Sequence, residues 1–284
     1  MKCSLCPRKC NVDRAFVRGF CSCGELPRIM RAAPHFGEEP CISGSNGSGA
    51  VFFSGCNLKC SFCQNHEISR HEQGSEFDAR SLADLFRRLQ DSGVHNINLV
   101  TGTHFTPLIA DALSMAELVI PVIWNSSGYE LPETLRMLDG LVNVYLPDYK
   151  YCDSRLAAKY SFAPDYPETA AAAVAEMFRQ RGVYKLENGM MTSGVLLRHL
   201  ILPGHIENSM DVIDFAADHY GEGILFSLMS QFVPMPGCDI TAKVSPEENS
   251  NLIHYMQLRG LNGFYQELSS ATEEFIPSFD GTIV

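Results

Sequence analysis

The sequence predicts an α/β fold on three observations. Six short apolar runs recur along the chain, stretches of helical periodicity separate them, and this regular pattern begins only after the Gly/Ser-rich segment 44–49. Strands alternating with helices imply parallel βαβ units, arranged either as an incomplete barrel or as an open doubly wound sheet. In both arrangements ligands sit at the carboxyl ends of the strands.

Taken in order, residues 1–45 form a Cys-rich N-terminal segment with too few periodic apolar positions for a core of its own. It is expected to fold around a metal or against the rest of the chain. Residues 46–284 form the main domain. Its strands are expected at Ala50–Ser54, Asn96–Thr101, Val119–Trp124, Val142–Leu146, Val195–Leu202 and Ile224–Leu228. Between the first two, Ser81 can cap a helix running to Gln90, with Leu82, Leu85, Phe86 and Leu89 as one apolar stripe. Glu168–Arg181 is an alanine-rich helix. Asn188-Gly189 marks a hairpin within Tyr184–Thr192, read as an insertion outside the barrel. Ser245-Pro246-Glu247-Glu248 opens the last helix with a cap, a proline in the first turn and acids at the positive dipole end.

A formal net charge of -11 and the lack of a Lys/Arg run argue against a nucleic acid or an anionic membrane as the partner. The N-terminus has no signal-peptide core, and apolar stretches such as Leu118–Trp124 are far shorter than a membrane span, so a cytoplasmic location is expected. In a reducing compartment, clustered thiols are metal ligands rather than disulfides. Of eleven cysteines, nine precede residue 64, while Cys152 and Cys238 stand apart as small buried hydrophobes.

Cys56, Cys60 and Cys63 fall in one loop just past the first strand. Thiolates at x3 and x2 spacing can ligate three irons of a cubane and leave the fourth open to a ligand. A zinc knuckle completed by His66 or His71 is the alternative. Cys3, Cys6, Cys10 and Cys21, with Cys23 in competition, offer a second, closed set for zinc or another iron-sulfur cluster.

The Cys-x3-Cys-x2-Cys loop after a first strand resembles the signature of the radical S-adenosylmethionine (SAM) superfamily. Residues 47–65 resemble the matching stretch of pyruvate formate-lyase activating enzymes. Cys-x2-Cys-Pro-Arg-x-Cys, His35–Pro40, Asn96–Thr101, Leu146–Lys150 and Arg198–Pro203 resemble their PflX-like relatives more closely still. The resemblance implies a partial (β/α)6 TIM-like barrel. It also implies a 4Fe-4S cluster whose open iron chelates SAM, one-electron cleavage to a 5′-deoxyadenosyl radical, and hydrogen abstraction from a substrate. A reducing donor such as flavodoxin or ferredoxin would serve it, and the target is either a glycine on a partner protein or a small molecule or peptide.

The resemblance further implies cofactor contacts at Gly102 and Thr103 after the second strand, at Asn125 and Ser126 after the third, and at Asp148 and Lys150 after the fourth. Family members have Gly-Gly-Glu and Asp-Thr-Asn-Gly at the first two turns, which this chain lacks. Asn125 in place of the acid weakens the case for a monovalent cation there. Asp148 and Lys150 could equally form a plain ion pair. Arg198 lies in a strand apolar enough to be buried, so it must meet an anion, for which the cofactor carboxylate is the candidate. His199 then faces a helix. Gln231 follows the sixth strand and is placed to touch adenine or ribose. His104, His35, Glu38 and Glu39 are further polar candidates. No catalytic residue beyond the cluster is assigned. From another functional class, an iron-sulfur electron-transfer or sensing protein that leaves SAM intact is the alternative.

Overall fold

A computed structural model describes residues 2–268 and 279–284. Ten strands form its sheet: β1 (Arg28–His35), β2 (Ser48–Phe53), β3 (Ser75–Glu76), β4 (Ile97–Val100), β5 (Val122–Ser126), β6 (Val144–Pro147), β7 (Lys185–Glu187), β8 (Met190–Leu200), β9 (Leu225–Met229) and β10 (Gly263–Tyr265). The order across the sheet is β10-β9-β8-β6-β5-β4-β2-β1-β3, with β7 beside β8. From β2 to β9 the pairs are parallel and follow chain order, each strand leading through a helical crossover to its neighbour. This is the six-unit, partly barrel-like α/β architecture expected from the sequence. Every one of these strands therefore ends on the same rim.

The strands are apolar because both faces are covered, as parallel sheets require. Trp124, Tyr145 and Phe226 are fully buried, as is Phe86 of the helix Ala79–Asp91, all in one apolar cluster. That helix buries the expected stripe of Leu82, Leu85, Phe86 and Leu89. Its cap is corrected: Asp78 accepts the Ser81 backbone N–H, while Ser81 sits three residues on and returns a bond to the Asp78 backbone. At the C-terminal helix, Pro246–Leu258, Ser245 and Glu248 close the expected box.

Three further differences follow from short-range geometry. The Asn188-Gly189 turn is present, with both residues at positive φ, but its second arm runs straight on as β8. The hairpin is thus an extension of a barrel strand and not a separate insertion. Second, the N-terminal segment supplies β1, antiparallel to β2, and residues 282–284 bond to Ala32 of β1. Third, β10 adds a parallel strand beside β9. Among the described residues no helix is long and apolar enough to cross a membrane.

Candidate active site

The parallel strands end around a cavity of about 550 Å³. Backbone geometry sets its floor. Gly55 leaves β2 at φ 80°, and Lys59 takes φ 60° between Cys56 and Cys60, so the chain coils tightly enough to return three thiols to one side. Each sulfur meets a hydrogen-bond donor. The Leu58 N–H donates to Cys56 at 3.4 Å, the Ser161 hydroxyl to Cys60 at 2.9 Å and the Ser69 hydroxyl to Cys63 at 3.4 Å. Burial pushes the free Cys60 thiol up to about 12 and raises Cys63 as well, with Lys150 opposing both. Three soft sulfurs opening on a cavity, with donors for thiolate charge and a lysine alongside, fit an iron-sulfur cubane with one open iron.

The opposite wall is a charged network. Arg198, inward-facing on β8, donates from Nε to Asp148 at 3.1 Å, from one terminal nitrogen to Glu38 at 3.0 Å and from the other to Asn125 at 2.6 Å. Lys150 Nζ donates to the second oxygen of Asp148 at 2.6 Å. Burial alone would raise Asp148, but Lys150 and Arg198 hold it below the usual carboxylate range. Burial alone would lower Lys150; Asp148, Cys60 and Cys63 keep it raised instead. The anion that Arg198 needs is thus supplied by the protein itself, where the sequence suggested the cofactor carboxylate. Glu38 also accepts from the amides of Asn98 and Asn125. Beside it Glu39 is pushed up by burial, and one of its oxygens has no hydrogen-bond partner.

Asn125, Ser126, Asp148, Lys150, Arg198 and Gln231 all line the cavity. So do His35 at the end of β1 and Glu38 and Glu39 from the segment after it. Gly102 and Thr103 are placed elsewhere. A Cβ on Gly102 would stand 3.0 Å from the Trp124 ring, and the Thr103 hydroxyl donates to the buried carboxylate of Glu130 at 2.8 Å. Thr101, at φ 63°, faces the cavity in their stead. Trp124 and Ser126 complete the donors around Glu130. His199 lies beneath a helix as expected, between the Tyr149 carbonyl at 2.8 Å and the Ser209 hydroxyl at 2.9 Å. Ser227 and residues 264–266 also line the cavity and escaped sequence reasoning. The tripeptide strand β10 is too short for a periodic signal, and Ser227 lies hidden in an apolar run.

The N-terminal cysteines pack against the back of the cluster loop. A Cβ on Gly19 would lie 3.2 Å from the Cys10 sulfur and 3.5 Å from that of Cys21. Burial, reinforced by Cys21, Cys3 and Cys10, pushes the Cys6 thiol up to about 11 against the pull of the Arg8 backbone N–H. The ligand atoms of Cys21, Cys23 and His104 lie within 4.8 Å of one another, all buried. His104 is therefore no substrate-facing or exposed loop residue. Its Nε2 and the Cys23 thiol both donate to the Ser54 carbonyl, at 2.9 and 3.1 Å.

The Radical SAM superfamily model matches residues 50–216 of this chain. The uncharacterised protein MJ0674 of Methanocaldococcus jannaschii is 28% identical over 262 residues, covering 89% of this chain and 71% of that protein. Among solved structures, Streptococcus suis SuiB bound to S-adenosylmethionine superposes with a TM-score of 0.55 at 18% identity, over 77% of this chain and 50% of SuiB. A radical SAM methyltransferase from Sphaerobacter thermophilus gives 0.54 at 14% identity, over 76% of this chain and 65% of that one. This chain thus spans half to two thirds of the length of those two proteins, and the likeness to them is one of fold.

Proposed function

The chain belongs to the radical SAM superfamily, and from that premise we propose an enzyme that cleaves S-adenosylmethionine reductively and abstracts hydrogen from a substrate. The observation that carries the proposal is the Cys56, Cys60 and Cys63 loop opening onto a cavity whose far wall is Asp148, Lys150 and Arg198. Those three thiolates would hold the 4Fe-4S cluster. When bound, it supplies the electron that breaks the sulfur–carbon bond and so yields the 5′-deoxyadenosyl radical.

The chain's own residues bind and orient. Lys150 and Arg198, already paired with Asp148 and Glu38, would offer their remaining N–H groups to the SAM carboxylate, and Asp148, holding both, fixes their direction. Asn125 and Ser126 offer amide and hydroxyl groups for the amino acid end, while Gln231, braced by Gln266 at 2.8 Å, is placed for the nucleoside. Gly102 and Thr103 act from behind by shaping the turn that presents Thr101. Phe52, Phe53 and Phe62 line the cavity with apolar surface that excludes water from a reactive intermediate.

In this reading residues 46–284 form the catalytic barrel, and residues 1–45 add β1 and the Glu38 side of the cavity and place a second metal, on Cys3, Cys6, Cys10 and Cys21, against it. The target is a glycine of a partner protein, as the motif likeness to activating enzymes suggests. SuiB, which shares the fold over 48% of its own length, has been solved bound to its precursor peptide SuiA, which supports a polypeptide target. A flavodoxin- or ferredoxin-class donor in a reducing, cytoplasmic compartment would feed the cluster.

The test is anaerobic reconstitution, reduction with dithionite and addition of SAM. The protein is expected to release 5′-deoxyadenosine, and Cys60→Ala to release none. A protein with a full cluster and no release would instead be an electron-transfer or sensing protein. Transfer of deuterium from a glycine-labelled candidate partner into 5′-deoxyadenosine would identify the target.

A further inference from the structure

The N-terminal cysteines form a knot against the catalytic loop, with Cys6, Cys21 and Cys23 buried and Cys3 and Cys10 half-buried. Cys3 exchanges backbone bonds with Val12 and Asn11, and the Lys9 N–H returns to the Cys6 carbonyl at 3.0 Å. Lys9, Asn11 and Ser22 all take positive φ, which turns the chain sharply beside Cys10, Cys21 and Cys23. Cys6 and Cys21 are each 6% exposed although they lie in a segment with almost no core of its own. Thiols gathered in this way offer a ready set of metal ligands.

The spacing of the sulfurs distinguishes which metal. A zinc ion with tetrahedral bonds of about 2.3 Å requires sulfurs about 3.8 Å apart. Among the described residues, no three of Cys3, Cys6, Cys10 and Cys21 have sulfurs within 4.8 Å of one another. Cys56, Cys60 and Cys63 do not meet that limit either. The trio that does meet the tighter limit, Cys21, Cys23 and His104, already commits the Cys23 thiol and the His104 Nε2 to the Ser54 carbonyl. Cys23 is thereby held as a thiol facing the barrel, leaving Cys21 to the knot.

The knot is also bolted to the catalytic loop. Arg8, between Cys6 and Cys10, donates to the carbonyls of Asn57 at 2.7 Å and of Ser161 at 3.1 Å. Asn57 lies between Cys56 and Cys60, and Ser161 is the residue whose hydroxyl donates to the Cys60 sulfur. Lys59 reaches back to the Ser22 hydroxyl at 2.7 Å. Arg8 and Lys59 both lie over the Phe20 ring, at 4.1 and 5.1 Å from its centre.

We propose that Cys3, Cys6, Cys10 and Cys21 ligate a second, fully protein-ligated iron-sulfur cluster, held against the back of the catalytic cluster loop by Arg8 and Lys59. The claim deepens the second-metal reading above and rests on it for the ligand set alone.

The experiment uses the full chain carrying Cys56→Ala, Cys60→Ala and Cys63→Ala together, reconstituted anaerobically with iron and sulfide in the presence of zinc. About four irons per chain are expected, with a paramagnetic signal on reduction, both lost when Cys6→Ser is added. One zinc per chain without iron, with its retention depending on His104, would assign the trio and overturn the proposal. A chain holding no metal would overturn it equally. Should the triple variant fail to fold, the comparison moves to the otherwise native chain. About eight irons falling to about four in Cys6→Ser/Cys10→Ser support the second cluster, and about four in both refute it. Release of 5′-deoxyadenosine by the native chain is scored separately, so either reading can fail without the other.

Discussion

Glu38 and Arg198, 160 residues apart in sequence, meet at 3.0 Å across the mouth of the barrel. The pair ties the segment between β1 and β2 to the fifth strand of the parallel run. Both side chains are largely buried, and Glu38 also receives the amides of Asn98 and Asn125. Glu38→Ala leaves a buried guanidinium and two amides short of an acceptor. It is expected to cost about 3–5 kcal/mol in urea denaturation, and Glu38→Gln distinctly less. Equal losses in the two variants would mean that charge, and not hydrogen-bond capacity, holds the mouth together.

His199 gives the stability curve a defined acid limb. Burial lowers it from 6.5 to about 4, so the folded state keeps the ring neutral where the unfolded state takes up a proton. Its contribution is complete above about pH 6.5 and is lost as pH falls through 4, amounting to about 3 kcal/mol. His199→Gln, which can still meet Ser209 or the Tyr149 carbonyl, should flatten the fall in melting temperature between pH 6.5 and 4. An unchanged acid limb in that variant would show that His199 does not carry the loss.

At Gly55 the backbone takes φ 80°, and an added Cβ would stand 2.2 Å from the Cys23 sulfur and 2.4 Å from the Cys21 carbonyl oxygen. Gly55→Ala combines backbone strain with overpacking and should cost about 2–4 kcal/mol. Gly93, at φ 86° with nothing within 4 Å, is the control, where alanine pays only the left-handed penalty of about 1–2 kcal/mol. Thermal melts of the two variants separate contact from conformation.

The Ser161 hydroxyl bears on the electronics of the catalytic cluster. A hydrogen bond to a ligating sulfur favours the more negative, reduced state, so Ser161→Ala should move the midpoint potential to a more negative value. Redox titration followed by magnetic resonance checks the direction. A shift to a less negative value would show that Ser161 acts on Tyr151, its other partner, and not on the cluster.

What the sequence made legible was whatever repeats or clusters along the chain. The six parallel strands stand out because burial on both faces makes each a continuous apolar run, and Cys56, Cys60 and Cys63 because ligand spacing in one loop is local. The inward face of Arg198 and outward face of His199 follow from strand alternation alone. Less legible was whatever depends on a distant partner. Arg198 had to meet an anion, but that Glu38 and Asp148 together would supply it requires three segments to be in place. Thr103 stands one residue beyond a strand-end turn, and only the position of the Glu130 carboxylate shows that it turns away from the cavity. His104 looks like any loop histidine until Ser54 and the N-terminal cysteines are seen around it.

The parallel run from β2 to β9 lies in chain order, so each βα unit can dock on its predecessor and the barrel can grow by short-range contacts. The contacts that shape the two cysteine loops and the cavity mouth obey a different schedule. Arg8 waits for Ser161, 153 residues later, and Glu38 waits for Arg198. Loop closure over such spans comes late and against an entropy cost that the preformed barrel reduces. Maturation thus has an intrinsic order: scaffold first, cysteine loops second. A chain that stalls between those stages would look natively folded by its secondary structure while being unable to retain iron.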